Sequence, residues 1–220
     1  MKNLTKKLLL ATCLTATLGS ASFAAEEEAV SPISANITIA NDYVWRGLTQ
    51  TGNDEAIQGG IDWDAGNGFA AGIWGSNVDF GGAQSEFDLY ASYGGEVDDF
   101  GYEVGYIAYR YPGSVGNDFN EAYIGGSYAG ANLTYYAGLD NFSDGGAKVE
   151  DYLEISYDLP IKEFDVSVLY GDYKNGYDYY GIGIGQSFSG LDFGLNYTKT
   201  NPDDGGDGES NTVFSISKSF

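Results

Sequence analysis

From Phe164 to Tyr170 the chain reads FDVSVLY, with Phe164, Val166, Val168 and Tyr170 on one side of the alternation and Asp165 and Ser167 on the other. Period two is the mark of a strand with one apolar face. LDFGLNYT repeats it with Leu191, Phe193, Leu195 and Tyr197, and FGYEVGYIAY with Phe100, Tyr102, Val104, Tyr106 and Ala108. Twelve such segments are expected, over roughly 33–45, 55–64, 68–77, 85–94, 99–110, 119–129, 131–139, 149–159, 164–171, 178–188, 190–199 and 211–220. No stretch has the 3.6-residue period of an amphipathic helix.

The predicted connections alternate in length. RGLTQTGND is followed by AGN, VDFGGAQ by GEVD, YPGSVGND by Gly130 alone, DNFSDGGAK by PIKE, and DYKNGY by SG; KTNPDDGGDGES leads into the last strand. Tight turns thus gather at one end of the strand stack and longer Asp/Gly/Asn-rich loops at the other, the asymmetry of bacterial outer-membrane barrels. The expected fold class is all-β: a closed antiparallel transmembrane β-barrel of 12 strands with short periplasmic turns and longer extracellular loops. A secreted two-sheet sandwich would share the alternation, but it has no reason to keep the parity of the connections. Aromatic placement also favours the membrane. Tyr43, Trp45, Trp63, Tyr93, Tyr157, Tyr170 and Tyr197 fall on apolar faces near strand ends, where two interfacial girdles need them. Asn41, Gln186 and Lys218 share that face, Lys218 close enough to its strand end to snorkel.

The amino terminus is read separately. MKNLTKKLLLATCLTATLGSASFA has Lys2, Lys6 and Lys7 ahead of a short apolar run, and Ser22 and Ala24 flank Phe23, so residues 1–24 are expected to be a secretory signal peptide removed after Ala24. Residues 25–32 form a short acidic segment, and 33–220 the barrel. The single cysteine, Cys13, lies in the leader, which leaves the mature chain no disulfide. Three of the ten basic residues are there too, so the mature chain sets few cations against 32 acidic residues and is repelled by nucleic acid. Such acidity alone would suggest disorder, but 19 Tyr, 12 Phe and 3 Trp argue for a folded chain.

Residues 34–80, SANITIANDYVWRGLTQTGNDEAIQGGIDWDAGNGFAAGIWGSNVDF, resemble the opening of the TorF-type porin family of bacterial outer-membrane barrels. DYVWRGLTQT, AIQGGIDW and AGIWGSNVDF carry most of the likeness. The resemblance implies a barrel in the bacterial outer membrane and supplies no substrate. A last strand ending on Phe220 similarly resembles the carboxy-terminal signature read by the outer-membrane assembly machinery, although Lys218 departs from that pattern.

Catalytic chemistry is poorly served. The sequence has no histidine, and without mature cysteine the usual nucleophile arrangements are unavailable. Asp88 with Glu86, and Asp203 with Asp204, read as solvated charges rather than acid/base pairs. DDGGDGE at 203–209 lacks an acidic third ligand after Asp203, and its twelfth position is Phe214, so no calcium loop is expected. The chain is expected to be no enzyme and to hold no cofactor and no metal.

The face opposite each apolar row is where function is expected. By parity it carries Asp42, Asp62, Glu86, Asp88, Glu103, Glu121, Glu154, Asp165 and Asp192, with Arg46 as its one basic residue. These ten are the pore-lining candidates. A low-dielectric wall of one charge sign concentrates counterions, which predicts an outer-membrane porin passing small hydrophilic solutes with a preference for cations. Arg46 is placed near the outer mouth, either pairing with Asp42 there or forming a salt bridge that tethers the first loop. Small lumen-facing residues (Gly72, Ser76, Gly101, Gly105, Gly181, Gly183, Gly185, Gly194) leave room, while Trp74, Tyr90, Tyr109, Tyr123 and Tyr179 narrow it. The other reading is a non-transporting barrel that anchors acidic loops for adhesion or envelope structure. Expected partners are outer-membrane lipids, lipopolysaccharide, the assembly machinery through Phe220, and small cations or solutes, with no nucleic acid.

Overall fold

The computed structural model describes residues 31–139 and 149–220; the expected leader, most of the acidic segment after it and residues 140–148 lie outside the described residues. The strands are β1 (Ile33–Ala40), β2 (Val44–Trp45), β3 (Leu48–Thr49), β4 (Ala56–Asp64), β5 (Phe69–Phe80), β6 (Ala83–Val97), β7 (Phe100–Arg110), β8 (Phe119–Tyr128), β9 (Ala131–Leu139), β10 (Tyr152–Leu159), β11 (Asp165–Tyr173), β12 (Tyr177–Phe188), β13 (Leu191–Pro202) and β14 (Ser210–Ser219). Among the described residues twelve of them form one closed barrel, in which each strand pairs antiparallel with its neighbour in the chain and β1 pairs with β14. The other two, β2 and β3, make a small hairpin inside the first long connection.

Closure leaves no free edge at the carboxy end. Ala35 and Phe220 exchange backbone hydrogen bonds, Ala35 N–H to Phe220 O at 3.2 Å and Phe220 N–H to Ala35 O at 2.8 Å. At the other end of this seam Asn41 explains its outward position. Its amide nitrogen donates to Thr212 O at 3.2 Å and its oxygen accepts from Phe214 N at 2.6 Å, which continues the β1–β14 ladder past the last residue of β1. An asparagine there meets backbone groups that an apolar side chain would leave unpaired.

Twelve strands lie where the alternation places them, with three differences of extent. β1 ends at Ala40 instead of continuing to 45, because the chain leaves the wall and turns into the lumen. β5 and β6 run further than expected and close through Gly81 and Gly82, both at positive φ (58° and 83°), so VDFGGAQ is mostly strand. β11 and β12 likewise close through 174–176 only. The loop end therefore carries long connections at 41–55, 111–118 and 203–209 but tight ones at 81–82 and 174–176, while the turn end has 65–68, 98–99, 129–130, 160–164 and 189–190. Ala129–Gly130 and Ser189–Gly190 take positive φ at both central positions, as two-residue hairpins favour.

Burial alternates along the strands. In β14, Asn211, Val213 and Ser215 are buried while Thr212 and Phe214 are exposed. The outward row is apolar round the barrel, with Ile39, Ile57, Ile61, Ile73, Leu89, Val104, Ile124, Leu133, Ile155, Ile182 and Leu195 all exposed. Trp63, Tyr93, Tyr157, Tyr170 and Tyr197 stand in the same row. An apolar surface of this extent calls for hydrocarbon rather than water around it. Tyr43 and Trp45 are the exceptions to the expected girdles: both sit past the end of β1 and turn inward, Tyr43 into full burial.

Several lumen-facing glycines do not widen the bore as their size suggested. Gly72, Gly105 and Gly171 lie directly across from Tyr90, Tyr123 and Tyr179 on the neighbouring strands. A Cβ on Gly105 would fall 2.3 Å from the Tyr123 ring, and one on Gly171 2.3 Å from Tyr179. The glycines are seats on which tyrosine rings lie flat against the wall, the cross-strand rescue of glycine by an aromatic neighbour.

Candidate functional site: the acidic interior and its hairpin

After Ala40 the connection 41–55 folds into the loop end of the barrel. Arg46 and Gly47, at φ 49° and 85°, form the two-residue turn between β2 and β3, positive φ at both central positions being what a type I′ hairpin needs. The base is tied by Asp42, whose Oδ1 accepts from Thr49 Oγ1 at 2.7 Å and Thr51 Oγ1 at 2.8 Å. Gln50 N–H also donates to Tyr43 O at 2.7 Å. Asp42 is therefore a structural acceptor within the loop and does not pair with Arg46.

The hairpin reaches across the bore. Tyr43 packs edge-on against Trp74 of β5, ring centroids 5.3 Å apart. Trp45 meets Tyr109 of β7 and Phe119 of β8 at 5.9 Å each, and Tyr173 of β11 at 6.4 Å. Gly47 O accepts from Asn211 Nδ2 of β14 at 2.8 Å, and a Cβ on Gly47 would meet Thr200 and Tyr179. Residues from most of the wall thus close on this short segment, and the bore is filled at that level.

At the hairpin tip Arg46 inserts into a site built by the wall. Its Nη1 and Nη2 donate to Glu121 Oε1 and Oε2, each at 2.7 Å, a two-pronged pair buried on both sides. Tyr109 OH donates to Glu121 Oε2 at 3.0 Å. Four rings surround the guanidinium: Tyr152 at 3.9 Å, Trp45 at 4.3 Å, Tyr136 at 4.8 Å and Tyr173 at 5.8 Å from their centroids. Burial of a single ion pair is costly unless geometry and further hydrogen bonds compensate. Here the fork geometry, the tyrosine donor and the ring faces supply that compensation.

A second acidic group lies behind the hairpin. Glu86 and Asp88 of β6 are 1% and 0% exposed, the opposite of solvated charges. Glu86 Oε1 accepts from Tyr111 OH at 3.0 Å, and the Tyr43 hydroxyl and the Asp88 carboxyl lie against the same Glu86 side chain. The loop covers them, which the alternation of β6 could not reveal. Burial pushes the Tyr111 phenol up from its ordinary value, with Glu86 and Asp88 adding to the effect.

The remaining candidates face the lumen. Glu154 accepts from Tyr152 OH at 2.6 Å, and Tyr152 and Tyr179 hydroxyls meet at 2.7 Å. Glu103 accepts from Tyr123 OH at 2.5 Å and Asp62 from Tyr90 OH. Asp192 accepts from Ser187 at 2.6 Å, and Asp165 is exposed at the turn end. The wall therefore divides into a sealed level at the loop end, with Asp42, Arg46, Glu86, Asp88 and Glu121, and a more open level towards the turn end, with Asp62, Asp165 and Asp192. Asp158, exposed and in phase with Glu154 on β10, belongs to that open level and was missed by the sequence reading, although the same parity identifies it. Among the described residues no group of three or more Asp, Glu, His or Cys is placed to hold a metal ion.

Residues 24–220 match the profile of Gcw_chp, described as a bacterial protein of unknown function, and the chain belongs to that family. No curated protein matches the sequence. Among solved structures, the KdgM porin is similar with a TM-score of 0.57 at 11% identity, over 85% of this chain and 98% of that one. A structure of the KdgM porin in complex with disordered oligogalacturonate gives 0.54 at 9% identity, over 86% and 97%. The likeness is one of fold: this chain has the barrel fold of a porin.

Proposed function

We propose that the protein is an outer-membrane porin that lets small hydrophilic cations diffuse passively, with the 41–55 connection setting when the bore is open. The observation that carries this reading is the one-sided charge of the lumen. Asp62, Glu103, Glu154, Asp165 and Asp192 stand on the inward face, Glu86 and Asp88 lie covered behind the hairpin and Asp42 within it, and Arg46, the only base among these candidates, is already neutralised by Glu121. A wall of one sign, held in low dielectric, favours counterions by raising their local concentration. The apolar outer row and the porin fold support the membrane location, and the resemblance of residues 34–80 to TorF-type porins supports the same class. The KdgM porin's complex is with oligogalacturonate, a polyanion; the acidic wall of this chain is unsuited to such a solute.

Planar-bilayer recording in a KCl gradient tests the reading. A reversal potential on the cation side supports it, and an anion-side potential overturns it. One observation favours a second reading, a barrel that anchors its acidic loops without transport: the hairpin fills the bore at the loop end. A barrel that stays silent even when the hairpin is excised would establish that alternative.

A further inference from the structure

The cage around Arg46 has two parts of different origin. Glu121, Tyr136, Tyr152 and Tyr173 belong to four wall strands, whereas Trp45 and Arg46 arrive with the hairpin. Take the hairpin away and the wall still presents a buried carboxylate with both oxygens directed at one guanidinium position, overlooked by three electron-rich faces. That is the donor set of a receptor for a planar, forked cation. Rings also lead to it. Tyr173 and Tyr177, half-buried at the loop end of β11 and β12, stack at 5.5 Å and 12°. Tyr152 follows at 6.2 Å from Tyr173, and Tyr136 at 5.5 Å from Tyr152. The staircase begins beside the tight 174–176 turn, where a solute can meet it from outside, and ends on the wall occupied by Arg46.

We infer that this wall is a binding site for guanidinium-bearing solutes, and that Arg46 is a tethered stand-in which such a solute displaces, withdrawing the hairpin and opening the bore. The inference rests on the cation-channel reading for its consequence and on the cage alone for its ligand. An alkylammonium fills the ring cage but offers no planar fork to the two Glu121 oxygens, so guanidinium is preferred over ammonium. Tyr109 holds Glu121 Oε2 in place whichever guanidinium is bound.

The test uses methylguanidinium, with methylurea as its neutral isostere, at constant ionic strength. Calorimetric titration of the detergent-solubilised Arg46→Ala variant should show methylguanidinium binding at least ~10-fold tighter than methylurea, and adding Glu121→Gln should remove the difference. Equal binding, or a preference that survives Glu121→Gln, overturns the site. Should Arg46→Ala fail to fold, wild-type protein answers by chymotryptic cleavage after Trp45, a bond sealed while the hairpin is seated. Methylguanidinium should speed cleavage ~10-fold over methylurea, the same preference read through displacement; no acceleration overturns the displacement. Conductance in KCl recorded before and after methylguanidinium is added separates the two ideas. A cation-selective pore indifferent to methylguanidinium rejects the site and keeps the channel, whereas guanidinium binding to a silent barrel keeps the site and rejects the channel.

Discussion

Glu121→Gln isolates the charge that seats the hairpin. The substitution keeps size and an acceptor for Tyr109 OH but leaves the Arg46 guanidinium, 8% exposed, without a counter-charge. Breaking a buried pair from one side costs about 3–5 kcal/mol. The rings at 3.9 to 5.8 Å attract Arg46 in both proteins and so do not alter the difference. At tenfold per 1.4 kcal/mol the closed-to-open ratio of the hairpin should fall by roughly 100- to 4,000-fold. Single-channel recording should then show long openings where wild type is mostly closed. The double variant Arg46→Met with Glu121→Met, which fills the site without charge, should close again, since apolar replacement of a buried pair is commonly neutral or stabilising. Open probability unchanged in Glu121→Gln would refute the idea that this pair holds the bore shut.

Four further outcomes follow from the same structure. Trp45→Ala removes a ring that touches Tyr109, Phe119, Tyr173 and Arg46 and should destabilise hairpin seating by about 2–4 kcal/mol, read as faster proteolysis within 41–55. Gly105→Leu puts a side chain where Tyr123 lies and should cost about 1–3 kcal/mol, seen as a lower temperature for the heat-dependent gel shift. Asp88→Asn removes a carboxylate buried beside the like charge of Glu86, so thermal stability should hold or rise; a loss comparable to that of Glu121→Gln would show that attraction to Arg110 outweighs that repulsion. At the β9–β10 connection, a hydrogen bond from Tyr135 and then Lys174 hold the Asp151 carboxyl below its usual range. A depressed folded value means the contribution is present above the unfolded value, about 3.9, and fades as pH falls through the folded one. The unfolding difference between wild type and Asp151→Asn should therefore shrink on acidification below pH 4 and persist at neutral pH.

The strands were legible because their lumen and lipid faces differ so sharply in polarity that a one-residue slip would reverse every side chain. FDVSVLY from its second residue, LDFGLNYT and FGYEVGYIAY lie in β11, β13 and β7 as their alternation demands. The first connection was not legible in the same way, since the alternation of β1 runs on through ANDYVW and parity cannot register that the chain has left the wall. A signal was present nonetheless: Val44-Trp45 and Leu48-Thr49 flank Arg46-Gly47, a short hairpin with glycine at its second central position. Glu121 is 75 residues from Arg46, so only barrel closure brings them together. The tyrosine-on-glycine seats needed the cross-strand register, which no single segment contains. Asp158 was recoverable from Glu154 by counting two residues twice.

The central claim is an acid-lined bore held shut by an inserted hairpin. Its most direct test is the reversal potential of a variant lacking residues 43–50, reconstituted in planar bilayers across a tenfold KCl gradient. The account predicts steady conductance with potassium more permeant than chloride. A chloride-preferring current, or silence with the hairpin gone, would contradict it.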